Sequence, residues 1–271
     1  MSETSLLLDY LDAAQEAARR GAEVIESWRS RFSVTEKSRA DLVTDADHAS
    51  QRAIFKYLLE RYPDHDFLGE EDAEAAAKTG LPPDAPPTWI VDPVDGTANY
   101  VHDIPFYCVS IGLMIDGDLR VGIVYDPRAK EMFAAAQGHG ATLNGVPIHV
   151  STIPTLRDAM ISTGFPANAE KQLRNLEMWK IFSYEAQGIR RTGSTALNMA
   201  YVAAGRFDAY WAYDNYCWDV AGGIVLIREA GGYVTCADGA VCDPFRHDIL
   251  ATNQLLHTEM QSMLNQGPKF Q

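Results

Sequence analysis

From Cys108 to Ala136 three apolar runs are separated only by short turn signals. Cys108–Ile115 and 119–125 flank Asp116-Gly117-Asp118, and Asp126-Pro127 turns the chain into Glu131–Ala136. Strands joined by such brief connections pair antiparallel, because a parallel pair needs a long crossover. The chain must therefore build around an antiparallel meander.

The flanks of the meander carry other periods. Leu7, Leu11, Ala14, Ala18, Ala22 and Ile25 recur at three- and four-residue steps, which predicts a first amphipathic helix. A polar segment, 33–39, follows. A second helix is predicted from Thr44, which would cap it, with Asp45 and Asp47 in its first turn and a stop at Tyr62-Pro63. Residues 79–88 read as a Pro-rich loop and 89–91 as a short strand. From about residue 152 strand and helix alternate. A helix through Leu197, Ala200, Tyr201 and Ala204 ends at Gly205, a strand covers 207–211, and a helix covers 220–230 before Gly231-Gly232. The expected division is 1–150 and 151–271, with the possibility of a shared core.

The 271 residues, 46% hydrophobic, suffice for a large core and exclude a disordered or disulfide-stapled chain. With 37 acidic against 23 basic residues the net charge is −14, which gives no global field for nucleic acid or an anionic membrane. Cys108, Cys217, Cys236 and Cys242 show no CxxC pair and no zinc spacing, and read as ordinary thiols. No stretch approaches the roughly 20 apolar residues of a membrane span, and the N-terminus lacks a basic leader. These features predict an intracellular, cytoplasmic protein.

The most informative stretch is Trp89-Ile-Val-Asp92-Pro-Val-Asp95-Gly96-Thr97. An apolar strand ends in two carboxylates three residues apart, followed by a glycine and a hydroxyl. Backbone N–H groups after Asp95, at a possible helix start, suit a phosphate. A turn with capping aspartates is the alternative. Glu70-Glu71-Asp72 follows apolar Phe67-Leu68, and Asp219 opens an apolar helix, where it also reads as an N-cap. If these acids gather, like charges repel by about 4 kcal/mol per pair at 4 Å and an effective dielectric of 20. A cation or raised pKa values must then compensate. Oxygen ligands without His or Cys favour Mg²⁺ over zinc.

Glu70-Glu71, Asp92-Pro-Val-Asp95-Gly-Thr97 and Trp218-Asp219-Val-Ala-Gly-Gly, followed by Glu229-Ala-Gly-Gly232, resemble the inositol monophosphatase family. Lys37, Asp41-Leu-Val-Thr44-Asp-Ala-Asp47 and Gly193-Ser194-Thr195-Ala196 match in the same order, so the resemblance covers about residues 10 to 255. It implies an α+β fold, a layered αβαβα sandwich with an antiparallel sheet in the N-terminal half and a mixed sheet in the C-terminal half. It implies two to three Mg²⁺ ions per active site. Glu70, Asp92 and the Val94 carbonyl would hold one ion, and Asp92, Asp95 and Asp219 a second. A third, weaker ion would lean on Glu70. Thr97, bonded to Asp47, and Glu70 would orient and deprotonate the attacking water. The N–H groups of Gly96 and Thr97 would hold phosphate, with Lys37 recruiting metal and phosphate from a loop. Gly193, Ser194 and Thr195 would contact substrate. A small phosphorylated substrate, lithium sensitivity and a homodimer follow by the same resemblance, with no nucleic-acid or membrane partner.

One position departs from the family pattern. The family commonly carries a hydroxyl-binding Glu seven residues before the helix-start Asp, and here that residue is Ala212. Asp214 would have to replace it, or Trp211, Tyr213 and Tyr216 would offer a stacking wall. Arg190 and Arg191 would add charge. Inositol 1-phosphate leads the substrate expectations, ahead of fructose 1,6-bisphosphate, histidinol phosphate, NADP and adenosine 3′,5′-bisphosphate. An aspartyl-phosphate phosphatase is a rival, but the Asp92–Asp95 spacing is one residue too long for it. A metal-dependent scaffold is the non-enzymatic rival.

Overall fold

The computed structural model describes residues 3–38, 41–71, 80–82, 84–166 and 168–266. Helix α1 (Glu3–Trp28) buries Leu7, Ala14, Ala18, Ala22 and Ile25 along one stripe, as the periodicity predicts. Helix α2 (Asp45–Arg61) starts where expected. The Thr44 side chain accepts from the Ala46 N–H, and the Asp47 carboxylate accepts from the Thr44 N–H. This capping box buries Asp47 at the helix start.

The polar segment before α2 is a hairpin of β1 (Val34–Ser38) and β2 (Asp41–Thr44), a two-stranded ribbon apart from both main sheets. Its period went unread because its described β1 side chains, 34–36, are exposed and carry no apolar face.

The larger sheet takes seven strands in chain order. These are β3 (Asp66–Gly69), β4 (Thr88–Asp95), β5 (Cys108–Ile115), β6 (Asp118–Asp126), β7 (Glu131–Ala136), β8 (Ala141–Leu143) and β9 (Val146–Ile148). From β4 onward every pair is antiparallel. The edge strand β3 runs parallel to β4, because the long connection 70–87 returns the chain to the same end of the sheet. The strand expected at 89–91 extends through both aspartates to Asp95. Pro93 donates no ladder bond, and the β4–β5 register slips between Asp92 and Asp95.

The second sheet is mixed, in the order β11-β10-β12-β14-β13. Its strands are β10 (Met160–Thr163), β11 (Gly188–Arg190), β12 (Ala209–Tyr213), β13 (Tyr233–Thr235) and β14 (Asp248–Thr252). Strands β10, β11 and β12 are mutually parallel, and β14 pairs antiparallel with β12 and β13. The strand expected at 207–211 thus lies two residues later.

Five further helices complete the described chain. They are α3 (Thr97–Val101), α4 (Leu173–Glu185), α5 (Thr195–Ala203), α6 (Cys217–Glu229) and α7 (His257–Gln266). The layers follow from which residues pack together. Trp89, Val91, Val109, Ile111 and Leu113 face α1 and α2, whereas Ile90, Cys108 and Val124 face α5 and α6. On β12, Tyr210 and Ala212 join the α5–α6 core, while Trp211 packs with Phe182 of α4 and Met260 of α7. Alternation with period two therefore divides both sheets between two cores. The result is the αβαβα sandwich.

Helix α6 sits unusually close to the large sheet. A Cβ at Gly222 would fall 2.6 Å from the Ile123 carbonyl oxygen, and one at Gly122 would fall 2.4 Å from the Gly222 carbonyl. Only hydrogen at both positions permits this backbone-on-backbone approach. It brings the start of α6, and with it Asp219, up to the end of β4. Among the described residues no helix is long and apolar enough to cross a membrane.

Candidate active site

The acids singled out by sequence arrive from separate elements. Asp92 and Asp95 lie at the slipped end of β4, Glu70 follows β3, and Asp219 occupies the first turn of α6. Asp92 is 2% exposed, and its Oδ1 accepts from the Val94 N–H at 2.9 Å. Burial drives its carboxyl well above the usual range, and the charges of Glu70, Asp95 and Asp219 push it further. Three carboxylates thus act on Asp92: the buried Asp95 and the half-buried Glu70 and Asp219.

Asp95 is the most heavily bonded of them. Its Oδ2 accepts from the Ser194 hydroxyl and from the Ala196 N–H at 2.7 Å, and its Oδ1 accepts from the Thr195 N–H at 3.2 Å. Burial raises its pKa against these donors, which pull it down. Ser194 is the N-cap of α5, so the two halves of the chain are tied at this carboxylate. The sequence places Gly193-Ser194-Thr195 as substrate contacts. The structure gives Ser194 a positioning task on Asp95, while Thr195 lines the cavity and bonds the buried Tyr210 hydroxyl at 2.9 Å.

Asp219 does not cap its helix as the sequence suggested. Tyr216 is the N-cap, and Asp219, three residues on, accepts from the Tyr216 N–H at 2.8 Å. Capping by the third residue starts α6 earlier than the expected 220.

Thr97 stands at the start of α3. Its hydroxyl lies 3.1 Å from Asp47 Oδ1 and 3.0 Å from the Val94 carbonyl, and its single proton serves one of them at a time. Asp47 is fully buried, and burial pushes its carboxyl up to about 6 despite bonds from Thr44 and Thr97. Gly96 precedes α3 at φ 99°, where a Cβ would approach the Phe106 carbonyl oxygen to 3.0 Å. Glycine is required by both the left-handed backbone and this contact.

Two of these acids, Glu70 and Asp219, line a cavity of about 370 Å³ together with Thr195, Lys171, Asp214 and Asn215. A larger cavity of about 490 Å³, beside Phe245, lies apart from the acids, so size does not locate the chemistry. Among the described residues no three His, Cys, Asp or Glu side chains already close into a ready-made ligand set. The acids meet through charge, with Asp92, Asp95 and Asp219 each holding a backbone N–H. A like-charged, all-oxygen set of this kind, with Asp92 and Asp95 buried and Glu70 and Asp219 at the cavity, fits a hard divalent cation.

Other expected residues fall outside the cavity. Ala212 is fully buried in the α5–α6 core and does not line it; its successors Tyr213, Asp214 and Asn215 do. Trp211 faces the opposite core, 4.7 Å from Phe182, so it forms no stacking wall, whereas Tyr213 and Tyr216 border the cavity. Arg191 lies over the Phe165 ring at an adjoining small cleft, and Arg190 is exposed. Lys37 lies on β1, but its side chain, like Asp72, is outside the described residues.

Sequence reasoning gave no role to Asn99, Cys108 or Lys171. Asn99 Nδ2 donates to the Phe106 carbonyl at 2.7 Å and the Thr192 carbonyl at 2.8 Å, bracing α3 against the turn before α5. Its place two residues after the Asp92–Thr97 motif was the available signal. Cys108 Sγ lies 3.6 Å from Asp95 Oδ2, and Lys171 sits in a stretch without pattern.

A family model described as the inositol monophosphatase family matches residues 7–267. The chain is 40% identical over 267 residues to an inositol-1-monophosphatase of Synechocystis, covering 97% of this chain and 91% of that one. It is 39% identical over 237 residues to the Nus factor SuhB of Pseudomonas aeruginosa, covering 85% and 86%. The solved structure of an inositol monophosphatase from Anabaena superposes with a TM-score of 0.85 at 36% identity, covering 97% of each chain.

Proposed function

Because the chain belongs to the inositol monophosphatase family, whose members are phosphoric monoester hydrolases, we propose that it hydrolyses a small phosphate monoester with Mg²⁺, inositol 1-phosphate foremost. The observation that carries this reading is the convergence of Glu70, Asp95 and Asp219 on the buried Asp92, with the Thr97 hydroxyl bonded to Asp47 nearby. Glu70, Asp92 and the Val94 carbonyl would hold one cation, Asp92, Asp95 and Asp219 a second, and Glu70 would support a third. Bound there, the cations supply an acidified water and charge neutralisation at the leaving oxygen.

The chain's own groups do the rest. The Thr97 hydroxyl, with Asp47 behind it, orients the attacking water, and the Glu70 carboxylate takes its proton. The Gly96 and Thr97 N–H groups open α3 toward the phosphate, and Thr195 borders the alcohol. The water oxygen bonds phosphorus as the bond to the alcohol oxygen breaks, and the released alkoxide takes a proton from solvent. Lys37, on strand β1 rather than on the loop the resemblance implied, would add charge. Residues 1–150 would supply most ligands and 151–271 complete the pocket, in a cytoplasmic homodimer.

Phosphate release from inositol 1-phosphate, fructose 1,6-bisphosphate, histidinol phosphate, NADP and adenosine 3′,5′-bisphosphate tests the reading. It predicts Mg²⁺-dependent turnover, fastest on inositol 1-phosphate; no release from any substrate would sink it. A scaffold role has one observation in its favour, the similarity to a protein named as a Nus factor. That reading would move ahead if the same panel gave no turnover.

A further inference from the structure

The cavity has a second polar group outside the acids used above, formed by Lys171 and by Asp214 and Asn215, which precede Asp219 on the chain. Lys171 Nζ and Asp214 Oδ1 pair at 2.6 Å, with side chains 55% and 28% exposed, and both line the cavity. So exposed a pair adds little to stability. Yet its backbone is built with care. Asp214 holds φ 65°, a left-handed conformation that Asp and Asn tolerate better than other side chains. The next residue fixes it: the Asn215 N–H donates to the His247 carbonyl at 3.0 Å, and the Asn215 carbonyl meets His247 Nδ1 at 2.7 Å. Lys171 comes from a short 3-10 turn, Ala169–Gln172, capped by the Asn168 side chain at 2.9 Å from the Glu170 N–H.

A third group points to a ligand. Asn215 is 6% exposed, lines the cavity, and its Nδ2 has no hydrogen-bond partner. A buried amide donor left unmet costs free energy that a bound acceptor would recover.

We propose that Asp214, positioned by Lys171, together with the Asn215 amide, reads neighbouring hydroxyls on the alcohol half of the substrate. The substrate is then the phosphate of a polyhydroxylated alcohol. A carboxylate accepts from one hydroxyl while an amide N–H donates to the next. A second phosphate on the substrate fits this end poorly, because Asp214 already neutralises Lys171. Ala212 leaves no acceptor of its own in the cavity, so Asp214 supplies it. The assignment rests on the phosphatase reading above.

The test compares kcat/KM for inositol 1-phosphate, p-nitrophenyl phosphate and fructose 1,6-bisphosphate in wild type, Asp214→Asn and Lys171→Gln. Asn suits the left-handed backbone, so Asp214→Asn removes charge without adding strain. The ratio of inositol 1-phosphate to p-nitrophenyl phosphate should fall about tenfold in Asp214→Asn, through KM, and severalfold in Lys171→Gln. Melting temperatures near wild type would show that both variants fold. An unchanged ratio in both variants overturns the assignment while leaving the phosphatase reading intact. So does a gain on the bisphosphate in Asp214→Asn coupled with its loss in Lys171→Gln, which would mark Lys171 as a second-anion site. A wild type inactive on all three substrates overturns both readings.

Discussion

The two ends of the cavity are built by different means. At the acid end, three carboxylates are pinned by backbone donors on strand and helix termini: Asp92 by Val94, Asp95 by Thr195 and Ala196, Asp219 by Tyr216. At the alcohol end, one exposed ion pair and one buried amide sit on a loop and a 3-10 turn. The first end holds repelling charges that only a rigid frame can keep together. The second has little charge to restrain. On the proposed function, chemistry falls to the packed frame and selectivity to its periphery.

The largest effects should come from breaking the acid end. Asp95→Asn removes a charge and little volume, so turnover should fall by about 10³-fold or more while melting temperature stays near wild type. Steady-state phosphate release and thermal melting on the same preparation check this, and retained Mg²⁺-dependent activity would remove Asp95 from the ligand set. Gly222→Val attacks the frame instead. It forces side-chain atoms into the Ile123 carbonyl and should destabilise the fold by about 3 kcal/mol or more in urea melts. Thr97→Val keeps the shape of the site but loses the hydroxyl between Asp47 and Val94, and kcat should drop about 10²-fold with KM little changed.

How legible each end was follows the same division. The acid end was readable because its geometry demands particular residues at fixed spacing: Pro93 to slip β4, Gly96 to meet Phe106, Gly222 to lower α6 onto the sheet. Those demands appear as motifs. The meander was equally plain, since Asp116-Gly117 and Asp126-Pro127 leave no other connection. What stayed hidden was set by tertiary context. The described side chains of β1 are exposed, and β3 joins β4 through a crossover that periodicity cannot show. At the alcohol end, Lys171 and Asp214 are 43 residues apart and meet only when the second sheet has formed. The absence of an acceptor at position 212 was visible, but strand alternation turns that position into the core.

A smaller effect tests the frame away from both ends. His257, 5% exposed, bonds Thr235 and Thr252 through its two ring nitrogens, and burial pulls its pKa down to about 4. The unfolded chain takes this proton near pH 6.5, and the folded one only near 4. Stability is therefore full above about 6.5, falls as pH drops between these values, and levels off below. The loss should reach about 2 kcal/mol by pH 5. Urea melts at pH 7 and pH 5 should show a smaller acid loss in His257→Asn than in wild type; an equal loss would assign the acid sensitivity to other groups.

The central claim is that the buried acids work only with cations among them. Protein stripped with a chelator should release no phosphate from inositol 1-phosphate, and added Mg²⁺ should restore turnover along a saturable curve that Asp92→Asn loses. Full activity in the stripped wild type, or an unaltered Mg²⁺ curve in Asp92→Asn, would contradict it.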